Sequence, residues 1–123
     1  MKYLLLIVAL VILRSAPALA QDAAKVDPKH YKVEFENERM RVLRVNYGPR
    51  EKSVMHSHPA GVAIFLTDGN VRFTLPDGKT QDSPVKAGQV IPTEAQTHLP
   101  ENLGTKPFEL ILVELKGTPT ADK

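Results

Sequence analysis

The sequence predicts an all-β domain, an antiparallel sandwich or barrel, and three observations carry that prediction. Apolar residues recur with a period of two, as in Tyr31, Val33 and Phe35 and again in Leu43, Val45 and Tyr47. Turn signals such as Asp68-Gly69-Asn70 and Pro76-Asp77-Gly78 separate short segments at intervals of roughly ten residues. No stretch beyond residue 20 sustains a helical period. Periodicity alone leaves an immunoglobulin-like sandwich and a jelly-roll barrel equally open.

Residues 1–20, MKYLLLIVALVILRSAPALA, have a basic start at Lys2, an apolar run from Tyr3 to Leu13 and the small-residue ending Ala18-Leu19-Ala20. The run is too short to span a bilayer and ends in a cleavage signature, so it predicts a secretory signal peptide and a periplasmic or secreted product, although Arg14 interrupts it. Residues 21–30, QDAAKVDPKH, are polar and aperiodic, which predicts a solvated N-terminal arm carrying an exposed His30. The barrel domain is predicted over residues 31–117, followed by a C-terminal tail at 118–123. Within the domain, YKVEFEN and RMRVLRVNYG read as half-buried strands, and GVAIFLT, apolar on both faces, as a strand between two layers. VRFTL, KAGQVIP and PFELILVELK supply further strands, with an irregular stretch from about Thr93 to Gly104.

Removing the first 20 of 123 residues leaves 103, enough for one small domain. Lys2 and Arg14 are two of the 16 basic residues, so the remainder carries 14 basic against 14 acidic. That balance, without basic runs interleaved with aromatics, argues against nucleic acid, and nothing after the signal argues for a membrane. The chain has no cysteine, which excludes disulfides, zinc–thiolate sites and cysteine nucleophiles. Ser53, Ser57 and Ser83 lack a glycine-flanked elbow, and no glycine-rich phosphate loop exists. Any metal would be held by nitrogen and oxygen.

His56 and His58 lie one residue apart, and in a strand such positions face the same side about 6.6 Å apart. Taken alone, an H-x-H pair ended by Pro59 reads more readily as two exposed histidines than as ligands. His98, forty residues on within AGQVIPTEAQTHLPENLG, adds a third. With it, residues 48–102 resemble the cupin superfamily. The first motif of that family, G-x5-H-x-H-x3,4-E-x6-G, is matched by Gly48, His56, His58 and Gly69, and the second, G-x5-P-x-G-x2-H-x3-N, by Gly88, Pro92, His98 and Asn102. Several spacings differ by one or two residues, and Glu94 stands where a second glycine is usual. Counting back from Gly69, the glutamate position is occupied by Val62.

The resemblance implies a single-domain jelly-roll barrel with His56, His58 and His98 lining its mouth as ligands of one divalent ion, without selecting among iron, manganese, zinc and nickel. Val62 is the replaced ligand position. Gln96, which shares strand parity with His98, and Glu94 are the candidates for a fourth ligand or for a group behind the ligands; Glu101 is a weaker one. Asn102 reads as a turn former, and Met55 and Phe65 as packing. Arg41, Arg44 and Arg72 fall on strands, where surface placement is favoured over contact with an anion. Three neutral imidazoles leave an ion's charge uncompensated, which favours a small anionic organic partner. The implied activity is of oxygenase, isomerase or lyase type; the alternative is a barrel that holds a sugar or organic acid without turnover. The two-sided apolar strands also permit a homodimer. An unperturbed histidine titrates near 6.5, so metal affinity is predicted to fall below about pH 6.

Overall fold

The computed structural model describes residues 21–117; the predicted signal peptide and C-terminal tail lie outside them. Among the described residues nine strands form: β1 (Tyr31–Glu36), β2 (Met40–Tyr47), β3 (His56–His58), β4 (Gly61–Phe65), β5 (Gly69–Thr74), β6 (Thr80–Val85), β7 (Val90–Thr93), β8 (Gln96–Asn102) and β9 (Phe108–Leu115). They make two antiparallel sheets, one ordered β1-β2-β9-β4-β7 and the other β3-β8-β5-β6. This is the predicted jelly-roll architecture.

The core follows from strand alternation. Leu43, Val45 and Tyr47 on β2 and Phe108, Leu110 and Leu112 on β9 are all buried, and β2 and β9 pair over their whole length from Met40 opposite Leu115 to Tyr47 opposite Phe108. Tyr47 stacks on Phe108 with ring centroids 5.1 Å apart. The intervening residues of β9, Ile111 and Val113, are half-buried on the other face, together with Val62 and Ile64 of β4.

Three expectations are corrected. β1 does not bury alternate residues: Tyr31 is its buried residue, Val33 is 41% exposed although it pairs with Leu43, and beyond a register shift Phe35 pairs with Val42 and is 53% exposed. The stretch from Thr93 to Gly104 is not irregular: β8 pairs with both β3 and β5 and buries His98, Pro100 and Asn102. It is a strand whose inward residues are not aliphatic, which is why hydrophobic periodicity does not mark it. Residues 21–30 are not a solvated tether. Ala23–Val26 form one helical turn, α1, capped by the Asp22 side chain, which accepts from the Ala24 N–H, and Ala23 is fully buried.

Candidate metal centre

His56 and His98 are direct cross-strand partners on β3 and β8, and His58 faces Gln96 two pairs on. This register brings three imidazoles to one point. One ligand atom from each of His56, His58 and His98 lies within 4.8 Å of the others, and all three residues are buried. The Nε2 atoms of His56 and His98 are buried without any hydrogen-bond partner. A buried nitrogen lone pair with nothing to accept is costly, and a divalent ion is the partner that would satisfy two or three of them together.

The outer nitrogens explain which lone pairs point inward. His56 Nδ1 donates to the Val54 carbonyl at 2.8 Å and lies 3.3 Å from Ser53 Oγ, which itself donates to Asp27 at 2.5 Å. His58 Nδ1 donates to Glu114 Oε2 at 2.6 Å. With Nδ1 protonated, each ring presents Nε2 as a lone pair, which is the tautomer a metal needs. Burial, reinforced by the nearby His58, holds His56 down at about 4; the same causes, with His56 added, hold His98 at about 3.

Those depressions fix the sign of an acid effect. In the unfolded chain both histidines take up protons near pH 6.5, whereas in the fold they resist until about pH 4. The metal-free protein should therefore lose stability as the pH falls from 6.5 towards 4, by up to about 2.7 kcal/mol per pH unit if both contribute fully. Urea unfolding at pH 7, 5.5 and 4.5 measures this, and His98→Gln should flatten the dependence. A parent and variant with equal slopes would contradict it. Protons would compete with a metal for these two nitrogens only below the pH 6 expected of unperturbed histidines.

Glu114, on β9, is the acid that sequence reasoning missed. It is 2% exposed and accepts from Arg41 Nε at 2.9 Å and Arg41 Nη2 at 2.6 Å as well as from His58. It therefore stands behind a candidate ligand. Its signal was parity: it follows Phe108, Leu110 and Leu112 at the inward positions of β9. Arg41 is correspondingly not a surface residue; its guanidinium also grips Asp22 through Nη1 and Nη2, each at 2.7 Å. Arg44 and Arg72 are on the surface as expected, paired with Glu34 and Glu109 and with Asp82.

Val62 is not beside the histidines. Strand alternation puts it on the outer face, opposite Val113 and Pro92, while Ala63 and Phe65 line the interior. The inward position on β4 is Ala63, which follows His58 after four residues rather than three. Phe65 packs on the same interior that His58 and His98 line. Gln96 and Glu94 are both exposed at the rim of the cavity, and Asn102 is buried, donating to the carbonyls of Tyr47, Gly48 and Lys106 as a loop clamp. His30 is 5% exposed rather than solvated: it stacks on Tyr47 at 4.2 Å, with Asp27 Oδ2 2.7 Å from Nδ1 and Glu51 Oε2 3.2 Å from Nε2.

The cavity that His58 and His98 line has a volume of about 340 Å³ and is walled largely by apolar side chains, among them Phe73, Leu75, Ile91 and Leu110. Among the described residues no Lys or Arg lines it; its polar groups include Gln81, Ser83, Thr93 and Gln96. A barrel of two antiparallel sheets with three histidines converging over an apolar interior is the arrangement of a cupin. The cupin-domain family model matches residues 43–114, which is more than half of the chain, and the protein belongs to that family. Among solved structures it is similar to a cupin-domain protein from Bordetella pertussis Tohama I, at 24% identity over 71% of this chain and 92% of that one, with a TM-score of 0.66. A Klebsiella pneumoniae protein with a double-stranded β-helix domain is 22% identical over 72% and 76% of the two chains, with a TM-score of 0.57. An RmlC-like cupin from Methanocaldococcus jannaschii is 19% identical over 72% and 83%, with a TM-score of 0.54. These likenesses establish the fold. No curated protein matches the chain.

Proposed function

We propose that the protein binds one divalent metal ion through His56, His58 and His98 and presents its open coordination positions to a small organic molecule in the barrel. The observation that carries this reading is the pair of buried, unpartnered Nε2 atoms on His56 and His98, set within reach of a His58 nitrogen. Such an ion acts as Lewis acid or oxygen-activating centre. The cavity refines the partner's chemistry. With no cationic side chain in its lining, only the ion would attract a negative charge. The molecule that fits has one oxygen-bearing, anionic head for the metal and an apolar body for Phe73, Leu75 and Ile91.

Elemental analysis of protein from its native compartment should give about one ion per chain. His98→Ala should abolish stoichiometric binding, and an equally loaded variant would refute the site. A second reading, that the barrel holds its ligand without turnover, draws support from the lining. Glu94 is the one carboxylate among the lining residues and is exposed, and burial pushes the Tyr31 and Tyr47 phenols above their ordinary value, leaving neither as a base near neutrality. Export belongs to the same proposal: the mature chain begins at Gln21, and an intact mass retaining residues 1–20 in the secreted fraction would refute it. So does a homodimer through the outer face of the larger sheet, where Val42, Val113, Val62 and Pro92 form one row.

A further inference from the structure

Three features of residues 21–30 converge on the ligands. The Gln21 carbonyl accepts from the N–H of Ser57 at 2.7 Å, and Asp22 forms a parallel bridge with Ser57, so the arm lies along the free edge of β3 at the residue between His56 and His58. Asp22 grips Arg41, Arg41 grips Glu114, and Glu114 accepts from His58 Nδ1. Asp27 Oδ2 accepts from Ser53 Oγ, which lies against His56 Nδ1, and the same oxygen lies 2.7 Å from His30 Nδ1, which fixes Asp27 in turn. Two separate chains of hydrogen bonds thus run from one ten-residue segment to the outer nitrogens of two ligands. The contact is packed as well as polar, because Ala23 is fully buried and Asp27 and His30 nearly so.

We propose that the arm Gln21–His30 is an integral outer layer of the metal centre, with Asp22 and Asp27 as positioning residues that fix His58 through Arg41 and Glu114 and His56 through Ser53. The proposal rests on the metal-binding reading above. Groups behind a ligand set ring orientation and tautomer, and their loss weakens metal binding without removing a donor. Coupling of this kind is reciprocal: if the docked arm tightens metal binding, the metal must tighten docking of the arm.

Co²⁺ is the probe, read by competition with a chelator, by its d–d absorption bands and by amide hydrogen exchange. Asp22→Asn and Asp27→Asn should each weaken Co²⁺ binding by about tenfold, the lower end of the range for groups behind a ligand, and alter the bands. Leu43→Val, in the core and contributing no side-chain hydrogen bond to either chain, should lower stability and leave affinity and spectrum as in the wild type. In the wild type, Co²⁺ should slow exchange at the Ser57 and Val26 amides, which are bonded to Gln21 and Asp22. Wild-type affinity in both arm variants, or exchange at these amides indifferent to Co²⁺, would overturn the proposal while leaving the metal site standing. Failure of the wild type to bind Co²⁺ would overturn both. Should Asp27→Asn not fold, Asp22→Asn decides, since the Asp22 side chain is 26% exposed and its loss is tolerable to the fold.

Discussion

Glu114→Ala is expected to cost about 3–5 kcal/mol of stability and to weaken metal binding by about 10–100-fold. The carboxylate is almost fully enclosed, and it takes three donors, two from Arg41 and one from His58. Its removal leaves the half-buried guanidinium with Asp22 as its one remaining carboxylate partner and leaves His58 Nδ1 with nothing to donate to. The imidazole is then free to exchange tautomers and to turn its protonated nitrogen towards the ion. Glu114→Gln separates the two losses. An amide of the same shape fills the space and accepts through one oxygen, but its NH2 group must face a donor, so stability should fall less than in the alanine variant while metal binding stays impaired. Urea unfolding and chelator competition measure both quantities. A glutamine variant that matches the wild type in each would show that the charge of Glu114 is irrelevant to the site.

Ala63→Glu should make stability strongly metal-dependent, whereas Val62→Glu should not. Ala63 is 5% exposed and looks into the cavity that His58 and His98 also line, between Leu112 and Ile91 on the neighbouring strands. Without metal, a carboxyl group there costs several kcal/mol or stays protonated. With metal, it adds an anionic ligand and cuts the charge of the site from +2 to +1, which tightens the ion and disfavours an anionic guest. Val62 faces outwards against Val113 and Pro92, so a glutamate there should lower the melting temperature slightly and equally in both conditions. Melting curves of both variants with and without metal are the test: the metal-induced rise should be larger for Ala63→Glu than for the parent and unchanged for Val62→Glu. Equal metal responses would mean that position 63 does not reach the ion.

The difference between those two positions marks how far the sequence could be read. The period of two in Leu43, Val45 and Tyr47 translated directly into buried residues, because β2 is central in its sheet and pairs without interruption. The three histidines were legible for a different reason, a motif spacing that the cross-strand pairing of His56 with His98 then explains. Val62 was misplaced by one residue, and in a strand one residue is the whole difference between inside and outside. The arm was misread because its apolar content is small: one buried alanine and a set of ion pairs hold it, and ion-pair partners 19 or 21 residues away in sequence leave no local trace. His30 was misjudged for the same reason, since nothing near it in the chain announces Tyr47 or Glu51.

The pairing of His56 with His98 has a mechanical side. β3 is only three residues long, lies at the margin of its sheet, and has β8 as its one strand neighbour. The chain offers no cysteine with which to fasten it. An ion held by both histidines would close the loop from residue 56 to residue 98 as a crosslink does, restricting the unfolded chain while clasping the margin of the folded one. Chelation would then act first as an unfastening. β3 and the segment lying on it should loosen at a denaturant concentration that still leaves the β2–β9 pair intact, so that the barrel comes apart from its metal edge inwards.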